Sequence, residues 1–217
     1  MEQKGVIFIS SKTVAKPLKI GIIVMDLKII FILVTCVVYA AATEPAATVT
    51  LQGLGCDSGC IQYEVYCQQD EDDHPYQQKA SEFCQSRSIG RGPAGRLAVL
   101  NHKYIDGEIR DLIKSNKLHR RRCIKNYGFW IGLSDSKREG TFFWDNGEMA
   151  IGQREFSNWA SRQPNNNRKL DGEGQDCVQM WYRNGRKGQW DDEYCDVRPK
   201  GFVCEVPDPY CATLARN

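Results

Sequence analysis

Apolar residues recur along this chain with more than one period, and each period marks a different element. Tyr76, Ala80, Phe83 and Cys84 fall at helical spacing, with His74-Pro75 as the start of a short helix. Ile105, Ile109, Leu112 and Ile113 repeat the spacing and predict a second, amphipathic helix. Between them, Leu97 to Leu100 (LAVL) is a short unbroken apolar run bounded by turn-forming residues, which predicts a buried strand. From Phe129 to Leu133 (FWIGL) onward the pattern changes to short aromatic-rich strands punctuated by glycine. Two helices followed by many short strands predict an α+β domain with long loops.

The N-terminal pattern is different. Ile29 to Tyr39 is an apolar run preceded by Lys28 and followed by Ala40, Ala41 and Ala42, the layout of a secretory signal peptide. Asp26 and Lys28 interrupt it, so it falls short of the roughly 20 residues that a membrane span needs. Stretched back to Ile20 the segment reads instead as a signal anchor. Met25 offers a second start that would make the signal compact. The expected organisation is therefore a signal peptide over 1–42, a weakly patterned linker over 43–55, one domain over 56–206 and a tail over 207–217. The expected location is extracellular, as a secreted chain with no stable membrane span.

Composition narrows the class. A net charge of +2 over 217 residues gives the whole chain no nucleic-acid signature. Ten cysteines point to an oxidising compartment and to disulfides. Cys56 and Cys60 form a CxxxC pair, but His74 has no second histidine at zinc-finger spacing. GxSxG, HExxH and phosphate-loop signatures are absent, and His74, His102 and His119 have no nucleophile at a meaningful spacing, so the sequence does not read as an enzyme. Trp130, Trp144, Trp159 and Trp181 read as core. Lys114 to Lys125 (KSNKLHRRRCIK) is strongly basic, either a solvated loop or a contact for sulfated glycans or other polyanions.

Phe156 to Glu205 carries the chemistry. Gln163-Pro164-Asn165 opens a polar, glycine-bearing loop, followed by Cys177, by Trp190-Asp191-Asp192, and by Cys195 and Cys204. Oxygen-bearing side chains, a stiff proline and cysteines to hold the loop are what a hard cation such as calcium requires. Asn-, Asp- and Gly-rich stretches also occur in plain loops, because these residues tolerate turn geometry.

The order and spacing of these parts resemble the carbohydrate-recognition domain of C-type lectins, from Cys56 to Glu205. FWIGL resembles that family's WIGL core motif, and Gly95 to Ala98 resembles the segment after its first helix. The resemblance implies a disulfide-stabilised C-type lectin-like fold of the secreted long form: two helices, short irregular antiparallel sheets and a long calcium-binding loop. It implies the disulfides Cys84–Cys204, Cys177–Cys195 and Cys56–Cys67, and a pairing of Cys60 with Cys211. Cys123 is then free, or links a homodimer.

The same resemblance assigns Ca2+ and carbohydrate to Gln163, Asn165, Gln175, Asp191 and Asp192, with glycans or glycoproteins as partners. Neighbouring sugar hydroxyls would complete the shell of the ion, and Trp190 or a nearby aromatic would pack on the sugar ring. Asp135, Glu139 and Asn166 fall at positions resembling an auxiliary calcium site. The sequence departs from the family in two places: the triplet carries amides on both sides of the proline, and Gln175 stands where Glu is usual. Both changes remove negative charge, so calcium binding is expected to be weaker, with Asp171 or Glu173 as substitutes from the loop. The alternative is a calcium-independent module for protein interaction, extracellular matrix or biomineral.

Overall fold

A computed structural model of the chain describes residues 45–52, 60–68, 76–120, 123–150, 156–170, 172–183 and 185–210. Among the described residues two helices and eight strands follow in the order β1 (Ala47–Gln52), β2 (Cys60–Tyr66), α1 (Gln77–Gln85), β3 (Arg96–Leu97), α2 (Lys103–Ser115), β4 (Gly128–Ser134), β5 (Phe143–Trp144), β6 (Cys177–Trp181), β7 (Gln189–Glu193) and β8 (Gly201–Asp208). The strands form one sheet in the order β1-β2-β8-β4-β6-β7, with β3 on β8 and β5 on β4. This is the α+β architecture that the apolar pattern predicts.

Helix α2 forms where its pattern places it. His102 caps it by accepting the Tyr104 N–H at 3.2 Å, Asp106 lies in the first turn and Lys114 in the last, as the helix dipole favours. Its buried face is Asp106, Ile109 and Ile113, so a carboxylate shares the inner stripe with two isoleucines. Helix α1 starts at Gln77 with Tyr76 as its N-cap, and buries Ala80 and Cys84. The expected LAVL strand is paired only over Arg96–Leu97, yet Leu97 to Leu100 are all buried. Ala98 donates to the Val203 carbonyl at 2.9 Å and accepts from Gly132 N–H at 2.9 Å, which stitches the run between β8 and β4.

The sheet corrects two expectations. Residues 43–55 were expected as a linker, but 47–52 within them form β1, paired antiparallel with β2 from Ala47↔Val65 to Gln52↔Cys60. Val49 and Leu51 alternate inward and are buried, so this strand belongs to the domain. The second correction is covalent. Cys67 is joined to Cys123, not to Cys56, with the two Cα atoms 4.6 Å apart. The backbone explains it: Gln68 N–H donates to the Cys123 carbonyl at 2.8 Å and the Gln68 side chain accepts from Lys125 N–H at 3.1 Å. The end of β2 therefore runs beside the loop that leaves α2. Cys123 is neither free nor available for a homodimer link.

Cys84–Cys204 and Cys177–Cys195 form as expected, tying α1 to β8 and β6 to the turn after β7. Closing loops of 120, 56 and 18 residues removes about 5, 4 and 3 kcal/mol of chain entropy from the unfolded state. Cys60 is disulfide-bonded as well. Cys56 and Cys211, the signal peptide, His74-Pro75, and Arg121 and Arg122 of the basic stretch lie outside the described residues. Among the described residues no helix is long and apolar enough to cross a membrane.

Candidate functional site

The base of the long loop is fastened to β7. Trp190 donates its N–H to the Asn158 carbonyl at 2.7 Å and accepts from Ala160 N–H at 2.8 Å, so the chain enters the loop alongside the strand that carries Asp191 and Asp192. Trp190 itself is 1% exposed and packs edge-on against Trp144, Phe156 and Trp159. Its indole N–H donates to Asp106 of α2 at 3.0 Å. The expectation that Trp190 stacks on a ligand is thereby overturned, because its ring is sealed in the core. Trp181, expected as core, is half-buried and lines the cavity described below, together with Tyr127.

From Ala160 the loop turns through Gln163-Pro164, whose peptide bond is cis. Asp192 then gathers the following backbone. It accepts Asn165 N–H at 3.0 and 2.9 Å and Asn166 N–H at 2.5 Å. Asn166 accepts Gln175 N–H through its side chain at 2.9 Å, and Asn167 N–H donates to the Gln175 side-chain oxygen at 3.1 Å. Gly174 makes this closure possible: its φ is +112°, and a Cβ there would lie 1.8 Å from the Asn166 side-chain oxygen. Cys177–Cys195 closes the loop at its far end.

These contacts bring the five expected residues together. Gln163 donates to Asp191 Oδ1 and accepts from the Asn165 amide, while Gln179 donates to Asp191 Oδ2 at 2.8 Å. Gln175 donates to Glu193 Oε1 at 3.2 Å, and the buried Lys200 donates to Glu193 Oε2 at 3.2 Å. Gln163, Asn165, Gln175, Gln179, Asp191 and Glu193 all face one polar cavity of about 430 Å³. Gln179 and Glu193 were not anticipated. The signal for Glu193 was present, as the third acid of the Asp191-Asp192-Glu193 run; a lone glutamine in a strand gives none.

The electrostatics of the cavity are unbalanced. Asp191 is pushed up to about 7, chiefly by burial and further by the Asp192 and Glu193 carboxylates, against the Gln179 hydrogen bond. Burial also raises Asp192, against the backbone N–H groups that it accepts. Lys200 is held below the usual lysine range by burial, with Glu193 opposing. Buried carboxylates raised in this way are sites where a cation would restore the charged form. The donor set is entirely oxygen, two carboxylates and three side-chain amides, which fits a hard divalent ion and not a soft one. Among the described residues no three His, Cys, Asp or Glu side chains form a metal cage, so amides must supply part of any shell.

The auxiliary residues divide. Asp135 is buried and pushed up to about 6, mainly by burial, with Glu139 and Asp176 raising it and the Gly140 N–H opposing. Its Oδ1 has no hydrogen-bond partner among the described residues. Glu139 is exposed and 3.7 Å from Arg168, and Asn166 spends its side-chain oxygen on Gln175. Asp176 is the carboxylate that the sequence reading missed here; its place beside Cys177 was the available signal. Asp171 lies outside the described residues, and Glu173 is exposed.

A family model for the lectin C-type domain matches residues 75–206. This chain belongs to the C-type lectin domain family, whose members are carbohydrate-binding and not enzymes. A perlucin-like protein of Mytilus galloprovincialis is 25% identical over 178 residues, which cover 82% of this chain and 98% of that protein. Lectin BRA-3 of Megabalanus rosa is 33% identical over 115 residues, covering 53% of this chain and 57% of that lectin. Human lithostathine shares the fold at a TM-score of 0.51 and 20% identity, over 68% of this chain and 84% of its own. The human scavenger receptor C-type lectin carbohydrate-recognition domain does so at 0.50 and 24%, over 68% and 92%.

Proposed function

We propose that this chain is a secreted lectin that binds carbohydrate through calcium held by Gln163, Asn165, Gln175, Asp191 and Asp192. The observation that carries the proposal is the convergence of Gln163, Asn165, Gln175 and Asp191 on one polar cavity, with Asp192 beside it holding the Asn165 and Asn166 N–H groups, and with more buried carboxylates than the one buried cation, Lys200, can balance. When bound, calcium supplies a hard centre whose shell neighbouring sugar hydroxyls complete. The chain's own groups set the orientation: carboxylates accept from the hydroxyls, and the amides of Gln163 and Asn165 donate to them. The aromatic side chains of Tyr127 and Trp181 line the cavity wall and supply carbon surface beside the polar groups. Asp135, with Glu139 and Asp176 near it, is the place for an auxiliary ion. Secretion is supported by the three described disulfides, which persist in oxidising compartments.

A glycan array read with calcium and again with chelator tests the proposal, alongside Asp192→Ala. Calcium that binds only the folded chain stabilises it by about 2.7 kcal/mol at a hundredfold excess over Kd. In Asp192→Ala both that gain and glycan binding should disappear. One observation favours a calcium-independent module instead: each carboxylate oxygen of Asp191 and Asp192 already accepts a hydrogen bond from the loop or from β6. Glycan binding that survives chelator, with a melting temperature indifferent to millimolar calcium, would select that reading.

A further inference from the structure

Positive charge is not spread evenly over this nearly neutral chain. The turn between β6 and β7 reads Tyr182-Arg183-Asn184-Gly185-Arg186-Lys187-Gly188, and Arg183 and Lys187 are exposed. The Arg183 guanidinium lies 5.3 Å above the Tyr127 ring and that of Arg186 5.5 Å above Trp181, so both cations are held over the two aromatics that line the sugar cavity. Arg183 itself lines that cavity, as do Lys169 and Arg198.

The turn is also fastened to a second basic segment. Tyr182 donates its N–H to the Tyr127 carbonyl at 2.8 Å, and its ring stacks on His119 at 6.0 Å. His119 belongs to the exit of α2, where Lys114, Lys117 and Arg120 are exposed. On the other side Tyr182 meets Arg110: a Cβ placed on Gly188 would touch the Tyr182 hydroxyl at 2.6 Å and Arg110 Cγ at 2.9 Å. The acids facing this surface are few. Asp106 is buried and paired with Arg110 at 2.8 Å, which leaves Asp111 as the exposed carboxylate close enough to act on Tyr182. Among the described residues Arg183, Arg186, Lys187, Lys114, Lys117 and Arg120 make no ion pair, whereas Arg198 is 3.7 Å from Glu193. Held cations with little counter-charge form a surface that attracts polyanions.

We propose that the β6–β7 turn and the exit of α2 form an anion-binding strip that continues the sugar cavity and selects sulfated polysaccharide over neutral polysaccharide. The inference rests on carbohydrate occupying the cavity, because Arg183, Tyr127 and Trp181 join the two surfaces. A sugar seated in the cavity then carries its chain past Arg186 and Lys187 toward Lys117 and Arg120. Guanidinium groups suit sulfate as they suit phosphate, by paired hydrogen bonds from a planar fork.

The test uses the full secreted chain, with dextran sulfate, neutral dextran and single-stranded DNA as probes. Dextran sulfate should bind at least about tenfold more tightly than dextran. With about four charge contacts, raising salt from 50 to 200 mM should weaken it on the order of a hundredfold, by the counterion-release scaling of polyanions. The double variant Arg120→Glu/Lys187→Glu, whose side chains lie outside the cavity, should lose the sulfated preference and keep the wild-type melting temperature; if that variant misfolds, Arg120→Gln/Lys187→Gln takes its place. Dextran sulfate binding that is absent in the wild type, or equal in the variant, overturns the strip. DNA that binds as tightly as dextran sulfate overturns its selectivity for glycans. Chelator separates the two readings: binding indifferent to chelator sinks the calcium site, whereas the charge variants decide the strip in either case.

Discussion

Asp106 is the residue whose loss should travel furthest. It is fully buried on α2 and accepts from Arg110 Nε at 2.8 Å, Trp190 Nε1 at 3.0 Å and Asn158 Nδ2 at 3.1 Å. Hydrogen bonds to a charged group contribute about 1.5–3 kcal/mol, and a buried donor left unpaired costs about 1–3 kcal/mol. Asp106→Ala strands the Trp190 indole N–H in a dry core. Asn158 keeps a weaker bond to the Gly188 carbonyl at 3.4 Å, and Arg110 is exposed enough to return to water, so neither adds its full share. The net loss should be about 3–5 kcal/mol, or roughly 10 °C in melting temperature for a domain of this size. Asp106→Asn keeps one acceptor for Trp190 but turns an amide N–H toward donors, so it should lose roughly half as much.

Urea unfolding measures the loss, and near-UV circular dichroism reports on the Trp190 cluster. The effect should also reach the cavity. Trp190 fastens Asn158 and Ala160 through its backbone and precedes Asp191 directly, so Asp106→Ala should weaken the calcium-dependent rise in melting temperature, not only the baseline. A loss below about 1 kcal/mol would refute the assignment of Asp106 as the anchor. A large loss with an unchanged calcium response would refute its coupling to the loop.

Three further outcomes follow from other parts of the molecule. Non-reducing peptide mapping should recover Cys67 linked to Cys123, and Cys67→Ser/Cys123→Ser should cost about 4 kcal/mol; a Cys56–Cys67 peptide would contradict the structure. Glu205, buried beside Arg96 at 2.9 Å, is pushed up to about 7, mainly by burial, so it holds its proton in the folded state where the unfolded chain has released it. Its contribution is therefore full below about pH 4.5 and is lost as pH rises to about 7, on the order of 3 kcal/mol, and Glu205→Gln should flatten the stability–pH curve across that window. Gln175→Glu should lower stability without calcium and enlarge the calcium-induced rise in melting temperature; an unchanged calcium response would remove Gln175 from the ligand set.

What was legible in the sequence was whatever local pattern or strong chemistry encodes. The spacing of Ile105, Ile109, Leu112 and Ile113 gave α2, and the triplet Gln163-Pro164-Asn165 with Asp191-Asp192 led to the cavity. What failed depends on chain segments meeting in space. Cys67 takes its partner from a loop 56 residues away, to which no periodicity points. Strand β1 rests on only two inward residues, Val49 and Leu51, too short an alternation to stand out from a linker. Trp181 and Trp190 exchanged roles for a similar reason. Both sit next to polar loop residues in sequence, but Asp106, a single acid on the apolar stripe of a distant helix, draws Trp190 inward. The basic stretch gained meaning only once Tyr182 and His119 brought it beside Arg183.

The two departures from the family pattern have a common physical basis in β7. Asp191, Asp192 and Glu193 place three acids in succession on a strand whose side chains are all buried here, and Lys200 is the buried cation among them. Two unit charges 4 Å apart repel by about 4 kcal/mol at an effective dielectric of 20, so a further carboxylate at position 163 or 175 would be costly without an ion. Gln163 and Gln175 avoid that cost by turning their N–H groups to Asp191 and Glu193. An amide can act both ways, donating to these acids when no cation is present and offering its oxygen when one is. The substitutions therefore shift the balance: they hold the loop closed without an ion and reduce the charge available to bind one. If calcium occupies the cavity as proposed, that trade, not the shape of the loop, should set the concentration at which it binds.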